Sequence, residues 1–385
     1  MPYHNKSLSV LHITNDFTGS KVYKSLFSEL DKLGVKQTVY TAIRDPKKIG
    51  NNEIAFNCKD SKIIYSHILN KYIDRLAYPI KILKIFKDLQ SRVDLDSIDY
   101  IHAHTWYSDG GVAYLLSKKY NIPFIVAIRS TDVDLFHKYM IYLHPFGKRI
   151  LNKADNIVLI TASYRKKLLQ YKSIKKIIEL KAELIPNGVD SFWIKNHKEP
   201  SITKTPSKGY NLLYIGTFIP RKNLIKLQKA VINLNKKYDF NIVLNIVGGG
   251  GGDESEVLKI VKKHPNSFKY HGKVNDKKRL LSIMRSCDAF TMTSIHETFG
   301  LVYIESLLQS LPLLFTEDEG IDGLYSENIG EKVHKPNEKN IENKLYELVI
   351  NLDRGKYSIP IDKIQKKHDW ALIAKKYLHI YSLKI

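Results

Sequence analysis

Short runs of β-branched and aromatic residues alternate along the chain with longer stretches whose apolar positions recur at helical spacing. In the first half the strand-like runs are LSVLHITN, VKQTVYTAI, YIHAHT, PFIVAIRS, NIVLITAS and AELIPNG. In the second they are YNLLYIGTF, FNIVLNIVG, SFKYHGKV, DAFTMTS and PLLFTE. Strands that alternate with helices predict parallel sheets joined by right-handed crossovers. Residues 194–209, IKNHKEPSITKTPSKG, are polar, contain two prolines and carry no apolar period, which marks a linker. The pattern therefore predicts an α/β chain of two doubly wound, Rossmann-like domains, 1–193 and 210–369. Two such domains turn their strand-end loops toward each other, so a ligand is expected in the cleft between them.

One stretch concentrates candidate chemistry. From Thr293 to Glu305 two carboxylates, Glu297 and Glu305, lie either side of Thr298-Phe299-Gly300, where the strand DAFTMTS hands over to the helix LVYIESLLQS. The first turn of that helix, opening at Leu301, presents amides without intrahelical acceptors and the positive end of a dipole, which suits a diphosphate. Gly300 lets backbone approach a ligand with no Cβ in the way. Glu305 lies about five residues into the helix, roughly 8 Å along its axis. That is a reach from phosphate to ribose, whose paired hydroxyls a carboxylate can accept. The plain alternative is an acid near an N-cap and a solvated helix residue.

The segment SIHETFGLVYIESLLQSLPLLFT resembles the signature of the large retaining glycosyltransferase family numbered four, in which two glutamates separated by seven residues flank a Phe-Gly pair. It departs from that pattern where Glu305-Ser306 replaces the usual Glu-Ala and Ser310 the usual glycine before Leu311-Pro312. The resemblance implies the B-type fold of two Rossmann-like domains, with HDWALIAKKYLHIYSLKI, about 370–385, crossing back onto the first domain. It also implies a nucleoside-diphosphate sugar (UDP-, GDP- or ADP-linked) as donor and a glycan or lipid-linked hydroxyl as acceptor, with no metal or other cofactor required. In that reading Glu297 holds the sugar and Glu305 the ribose, Thr298 belongs to the donor-binding turn, and the amides of Phe299, Gly300 and Leu301 meet the diphosphate.

Other loops fit the same reading. Gly216-Thr217-Phe218-Ile219-Pro220-Arg221-Lys222-Asn223 follows the first strand of the second half, and Arg221 and Lys222 could neutralise a diphosphate or simply be exposed. The family's loop has a lysine at the place of Lys222 and an arginine where this chain has Thr217. Gly19, in the loop Asn15 to Lys21, matches a family glycine near the donor diphosphate. The glycine run 248–252 resembles the family's loop near the base, and Asn187-Gly188 a family turn; both also suit any tight turn. His102 and His104 alternate along one strand and so face one way. His104 is the candidate for a catalytic or acceptor contact, with a core position as the alternative. Arg129 stands where some family members have a histidine; being always charged, it would bind an anionic acceptor or a donor phosphate. Asp132 and Asp134 could orient acceptor hydroxyls or pair with Arg129.

Composition adds limits. The 385 residues carry a net charge of +22, which favours an anionic partner. Basic residues interleave with apolar ones over 61–92 (Lys62, Lys71, Arg75, Lys81, Lys84, Lys87) and over 164–181 (Arg165 to Lys176). Such stretches can lie on an anionic membrane or be core helices with a solvated lysine face. Nucleic acid is disfavoured, since no recognition-helix, zinc or aromatic-sheet motif accompanies the charge. Two cysteines, Cys58 and Cys287, give neither a disulfide framework nor metal spacing. The Asp-x-Asp pairs, Asp94/Asp96 and Asp132/Asp134, fall in the first half rather than the donor half, so no metal site is expected. No apolar signal core or bilayer-length segment occurs, and the expectation is a cytoplasmic enzyme able to sit at the inner face of the cell membrane. The expected activity is retaining sugar transfer in bacterial surface polysaccharide synthesis, such as lipopolysaccharide or capsule. A sugar-nucleotide epimerase or a phosphorylase on the same fold is the alternative.

Overall fold

The computed structural model describes residues 8–70, 74, 77–199, 209–238 and 240–383. The chain divides into a first unit, Met1–Ile160 with Tyr164–Gly188 and His368–Ile385, and a second, Thr161–Ser163 with Val189–Lys367. The boundary thus falls at Gly188/Val189, ahead of the expected 193/194. The helix Ser191–Lys195 belongs to the second unit, where Trp193 is buried, and the remainder of the expected linker, 200–208, lies outside the described residues.

The first unit is a seven-stranded, all-parallel sheet of order β3-β2-β1-β4-β5-β6-β7. Its strands are β1 (Ser9–Ile13), β2 (Lys36–Ala42), β3 (Lys62–Ser66), β4 (Tyr100–Ala103), β5 (Phe124–Ile128), β6 (Asn156–Leu159) and β7 (Ala182–Leu184). β1, β4 and β5 are buried at every position, because helices cover both faces. On one face Ile82, Leu89, Val112, Leu116 and Ile150 pack on Ile101 and Val126. On the other, Phe27 and Leu30 from the helix Lys21–Lys32 join Ile373, Tyr377 and Tyr381 from the last helix, Trp370–Ser382, over Val10 and Tyr100. Asp369 caps that last helix, accepting from the Ala371 amide at 2.7 Å. At its start the Trp370 ring lies 2.6 Å from where a Cβ on Gly188 would stand, so the Asn187-Gly188 turn seats the helix.

The second unit is a six-stranded parallel sheet of order β10-β9-β8-β11-β12-β13. Its strands are β8 (Gly209–Gly216), β9 (Asn241–Gly248), β10 (Phe268–Gly272), β11 (Ala289–Thr291), β12 (Leu313–Thr316) and β13 (Gly330–Val333). In each sheet the order reverses at a central pair, β1/β4 and β8/β11, and loops leaving such a pair diverge to leave room for a ligand.

Two elements differ from expectation. Two edge strands were not foreseen: β3 (KIIYS) lies in the basic stretch 61–92 that also suits a helix, and β13 (GEKV) carries little apolar signal. β3 breaks the basic stretch 61–92, whose residues Tyr78–Arg92 form a long helix; Lys71 and Arg75 lie outside the described residues. Among the described residues no helix is long and apolar enough to cross a membrane.

Candidate functional site

The loops after β8 and β11, leaving the reversal point of the second sheet, are tied together by backbone and side chain. Pro220 opens a tight turn, Pro220–Lys222, which Asn223 closes in the left-handed region at φ 59°. The Asn223 amide donates to the carbonyls of Thr293 (3.3 Å) and Pro336 (2.8 Å), and the Ile295 N–H donates to Arg221 O at 2.7 Å. These bonds bring Lys222 onto Glu297: the ammonium donates to Oε2, and both side chains are largely buried. Met292 Sδ lies 3.7 Å from the same ammonium. Behind Glu297, the Gly320 N–H donates to its carbonyl at 3.0 Å, and a Cβ on Gly320 would stand 3.1 Å from Glu297 Cγ. The pair therefore sits in a fixed frame at the strand ends, with Arg221 and Thr217 exposed beside it.

Gly300 precedes the helix Leu301–Leu307 in the left-handed region, φ 72°. A Cβ there would fall 2.6 Å from the Tyr303 ring, whose hydroxyl donates to Met292 O at 2.5 Å. The glycine is thus required first by its own backbone and by Tyr303. Phe299 is buried, while Thr298, Gly300 and Leu301 are partly exposed.

Glu305, further along the helix, is half-buried, and burial pushes its carboxyl up to about 7. Asp190 nearby adds to the rise, while Lys277 and a hydrogen bond from Trp193 oppose it. Lys277 donates to Asp190 Oδ2 at 2.5 Å. Sequence reasoning missed Trp193, Asp190 and Lys277, because the segment of Asp190 and Trp193, that of Lys277 and that of Glu305 are far apart with no spacing to join them. The glycine run takes up φ from 75° to 148° over Gly248–Gly251; Gly248 lies against the Gly216 carbonyl, and Gly250 O accepts from the Phe218 N–H at 2.9 Å. Its role is to let β9 end against the loop carrying Gly216.

In the first unit two candidates behave differently from expectation. His104 is fully buried, packed edge-on to Tyr23 and Phe27, so the accessible contact expected of it is corrected to a core position. It forms with His12 and His102 a cluster in which one ring nitrogen from each lies within 4.8 Å of the others. His12 Nδ1 and His104 Nε2 share a hydrogen bond at 3.2 Å, and Tyr381 O–H lies 2.7 Å from His102 Nδ1. The His102 and His104 rings stack at 3.8 Å. Burial lowers all three, His12 to about 3 and the others well below the usual imidazole range, so they are neutral rings. Asp132 is likewise corrected from an acceptor ligand: it is buried, and its oxygens accept from the amides of Trp106 (2.9 Å), Tyr107 (3.1 Å) and Arg129 (2.9 Å). It ties the loops after β4 and β5, and desolvation raises it to about 6. Arg129 donates through Nε to His104 O at 3.2 Å and stays partly exposed. Gly19 is exposed in the turn Phe17–Gly19. Beside it a cavity of about 390 Å³ opens at the ends of β1 and β2, lined by Asn15, Asp16, Thr18, Arg44 and Lys48. Of these Arg44 and Lys48 were not foreseen.

Residues 195–358 match the family model described as glycosyl transferases group 1, and residues 19–191 the model described as Glycosyltransferase Family 4. Both models are glycosyltransferase models, one for each half of the chain, and the protein is a glycosyltransferase. Its sequence is 26% identical over 278 residues to an uncharacterised glycosyltransferase of Methanocaldococcus jannaschii, covering 72% of each chain. The alpha-monoglucosyldiacylglycerol synthase of Acholeplasma laidlawii is 24% identical over 244 residues, 58% of this chain and 60% of that one. The fold of the transferase matches that of Anabaena HepE in complex with UDP-glucose, with TM-score 0.64 at 16% identity over 98% of this chain and 100% of that one. Its two parallel-sheet units are those of the B-type glycosyltransferase fold.

Proposed function

We propose that the transferase moves a sugar, with retention at the anomeric carbon, from a nucleoside-diphosphate sugar to a hydroxyl of a glycan or lipid-linked glycan of the bacterial surface. The observation that carries this reading is Lys222 held on Glu297 at the β8/β11 reversal point. Lys222, with Arg221 beside it, supplies positive charge for the diphosphate oxygens, and the first-turn amides of Leu301 and Val302 add dipole. Glu297 holds the sugar hydroxyls and keeps Lys222 in place. Glu305 takes the ribose. As the bond from the anomeric carbon to the diphosphate breaks, these cations stabilise the departing charge. The acceptor oxygen attacks from the same face and its proton passes to the leaving phosphate. The cavity at Asn15, Arg44 and Lys48, with Arg129, supplies polar and cationic groups for the acceptor in the first unit.

Support for a UDP-linked donor comes from the UDP-glucose held by HepE, and for a lipid-borne acceptor from the Acholeplasma relative's name. Peripheral attachment to the inner face of the cell membrane belongs to the same reading. Calorimetric titration with UDP, GDP and ADP tests the donor site: one of the three should bind the wild type and lose most of its affinity in Lys222→Ala. Absence of binding by all three defeats the reading.

A further inference from the structure

Four of the exposed large apolar residues of the first unit gather in one short segment. Leu135, Tyr139, Ile141 and Tyr142 are 47%, 66%, 69% and 63% exposed within eight residues, whereas scattered single exposures are the norm for a surface. The segment that carries them is pinned from inside. Asp132 holds its start through three amides, Val133, His137 and Leu143 are buried, and His144 Nε2 meets His137 O at 2.6 Å. Between them Leu135, Lys138, Tyr139, Ile141 and Tyr142 are exposed, along an irregular, π-helical turn, Asp132–His137, and the tight turn Ile141–Leu143. Ile80 and Leu83, 50% and 49% exposed, belong to the helix Tyr78–Arg92, whose first residue packs its ring on Phe136 and Phe146 at 6.1 and 6.2 Å.

We propose that this tyrosine-rich surface docks in the headgroup layer of an anionic lipid bilayer. Charge complementarity selects that occupant. Between Asp134 and Asp155 the sequence holds no acidic residue, but it holds Lys138, Lys148, Arg149 and Lys153, all exposed. Lys138 Nζ lies 5.1 Å over the Tyr139 ring, placing cation and aromatic at one level. Tyrosine suits that level, having an apolar ring for the acyl boundary and a hydroxyl for the headgroups. Isoleucine and leucine reach deeper, and the lysines meet anionic phosphates. This surface displaces the one suggested by the lysines of 61–92. Lys81 there is buried and donates to Ser108 Oγ at 2.8 Å, and Lys84 is held by Asp74 at 3.0 Å.

The inference names the membrane partner of the transferase proposed above, but vesicle binding is read without donor or acceptor. The full chain is sedimented with vesicles of phosphatidylglycerol and phosphatidylcholine, and with phosphatidylcholine alone. The wild type should pellet with the anionic vesicles and be released by salt. The exposed triple variant Tyr139→Ser/Ile141→Ser/Tyr142→Ser should lose about tenfold in partitioning. Its UDP titration should match the wild type, which separates loss of docking from loss of the donor site. Equal pelleting of variant and wild type, or no pelleting of the wild type, overturns the proposal. So does wild-type self-association on sizing that the variant abolishes, which would make the surface a contact between copies.

Discussion

Lys222 and Glu297, 75 residues apart in sequence, form an ion pair almost wholly removed from water. A buried pair of this kind contributes little net stability while intact, but removal of one member strands the other charge. Lys222→Ala should therefore lower unfolding free energy by about 3–5 kcal/mol, whereas Lys222→Met/Glu297→Gln should recover most of the loss. Neither variant should retain transfer, and denaturant unfolding beside a donor-hydrolysis assay separates the two effects.

Glu305 gives a pH signature. Its carboxyl is raised to about 7 from an ordinary value of 4.5, so between those limits the folded chain holds a proton that the unfolded chain releases. Stability from this group is full below the unfolded value and lost as pH rises toward 7. Glu305→Gln should raise Tm at pH 8 and leave it unchanged at pH 4. Ribose hydroxyls need the ionised, acceptor-only form, so nucleotide affinity of the wild type should climb through pH 7 and that of the variant should stay flat.

The three imidazoles behave in the opposite sense. His12, His102 and His104 are held neutral by burial, with pKa values below the unfolded value of 6.5. Below that value the unfolded chain takes up protons that the folded one refuses, so stability is complete above it and falls as pH drops toward about 3. Each ring adds about 1.4 kcal/mol per pH unit to the slope. Thermal unfolding from pH 7 to 4 should show a steep loss of Tm, and a shallower one in His12→Gln.

Gly300→Ala should cost about 1–3 kcal/mol, since the residue would hold a left-handed backbone and press on Tyr303. The same change should loosen Glu297 and Lys222 through Met292, seen as a drop in both Tm and nucleotide affinity.

Thr217 is exposed beside Arg221 in the loop after β8. If it fills the place of a phosphate-binding arginine, Thr217→Arg should tighten nucleoside diphosphate binding by about fivefold with Tm unchanged. Calorimetry reads the first and scanning fluorimetry the second.

Both parallel sheets were legible because their central strands are buried on each face and read as unbroken apolar runs such as FIVAI. β3 was not, because its isoleucines sit in a basic stretch that also suits a helix, and β13 was not, because GEKV has a single apolar residue. Lys222 and Glu297 stood out in the sequence through motif and spacing, but their pairing across 75 residues did not. Asp132 and His104 misled because a polar residue at a strand end looks the same in sequence whether it faces a ligand or satisfies buried amides. Trp193, Asp190 and Lys277 left no trace at all: proximity made by three chain segments has no one-dimensional signature. The tyrosine-rich turn was hidden for a related reason, because a run such as HKYMIYLHPF gives no sign of which members are outward.

The last helix, whose Tyr377 and Tyr381 complete the apolar layer over Val10 and Tyr100, is synthesised after all of the second unit. During translation the first unit must wait, one face uncovered, through the emergence of some 180 further residues from Val189 to Lys367. A ribosome stalled late in the message would leave that half unfinished while the other half could already be whole, so nascent chains should draw on chaperones at their beginning for longer than at their middle.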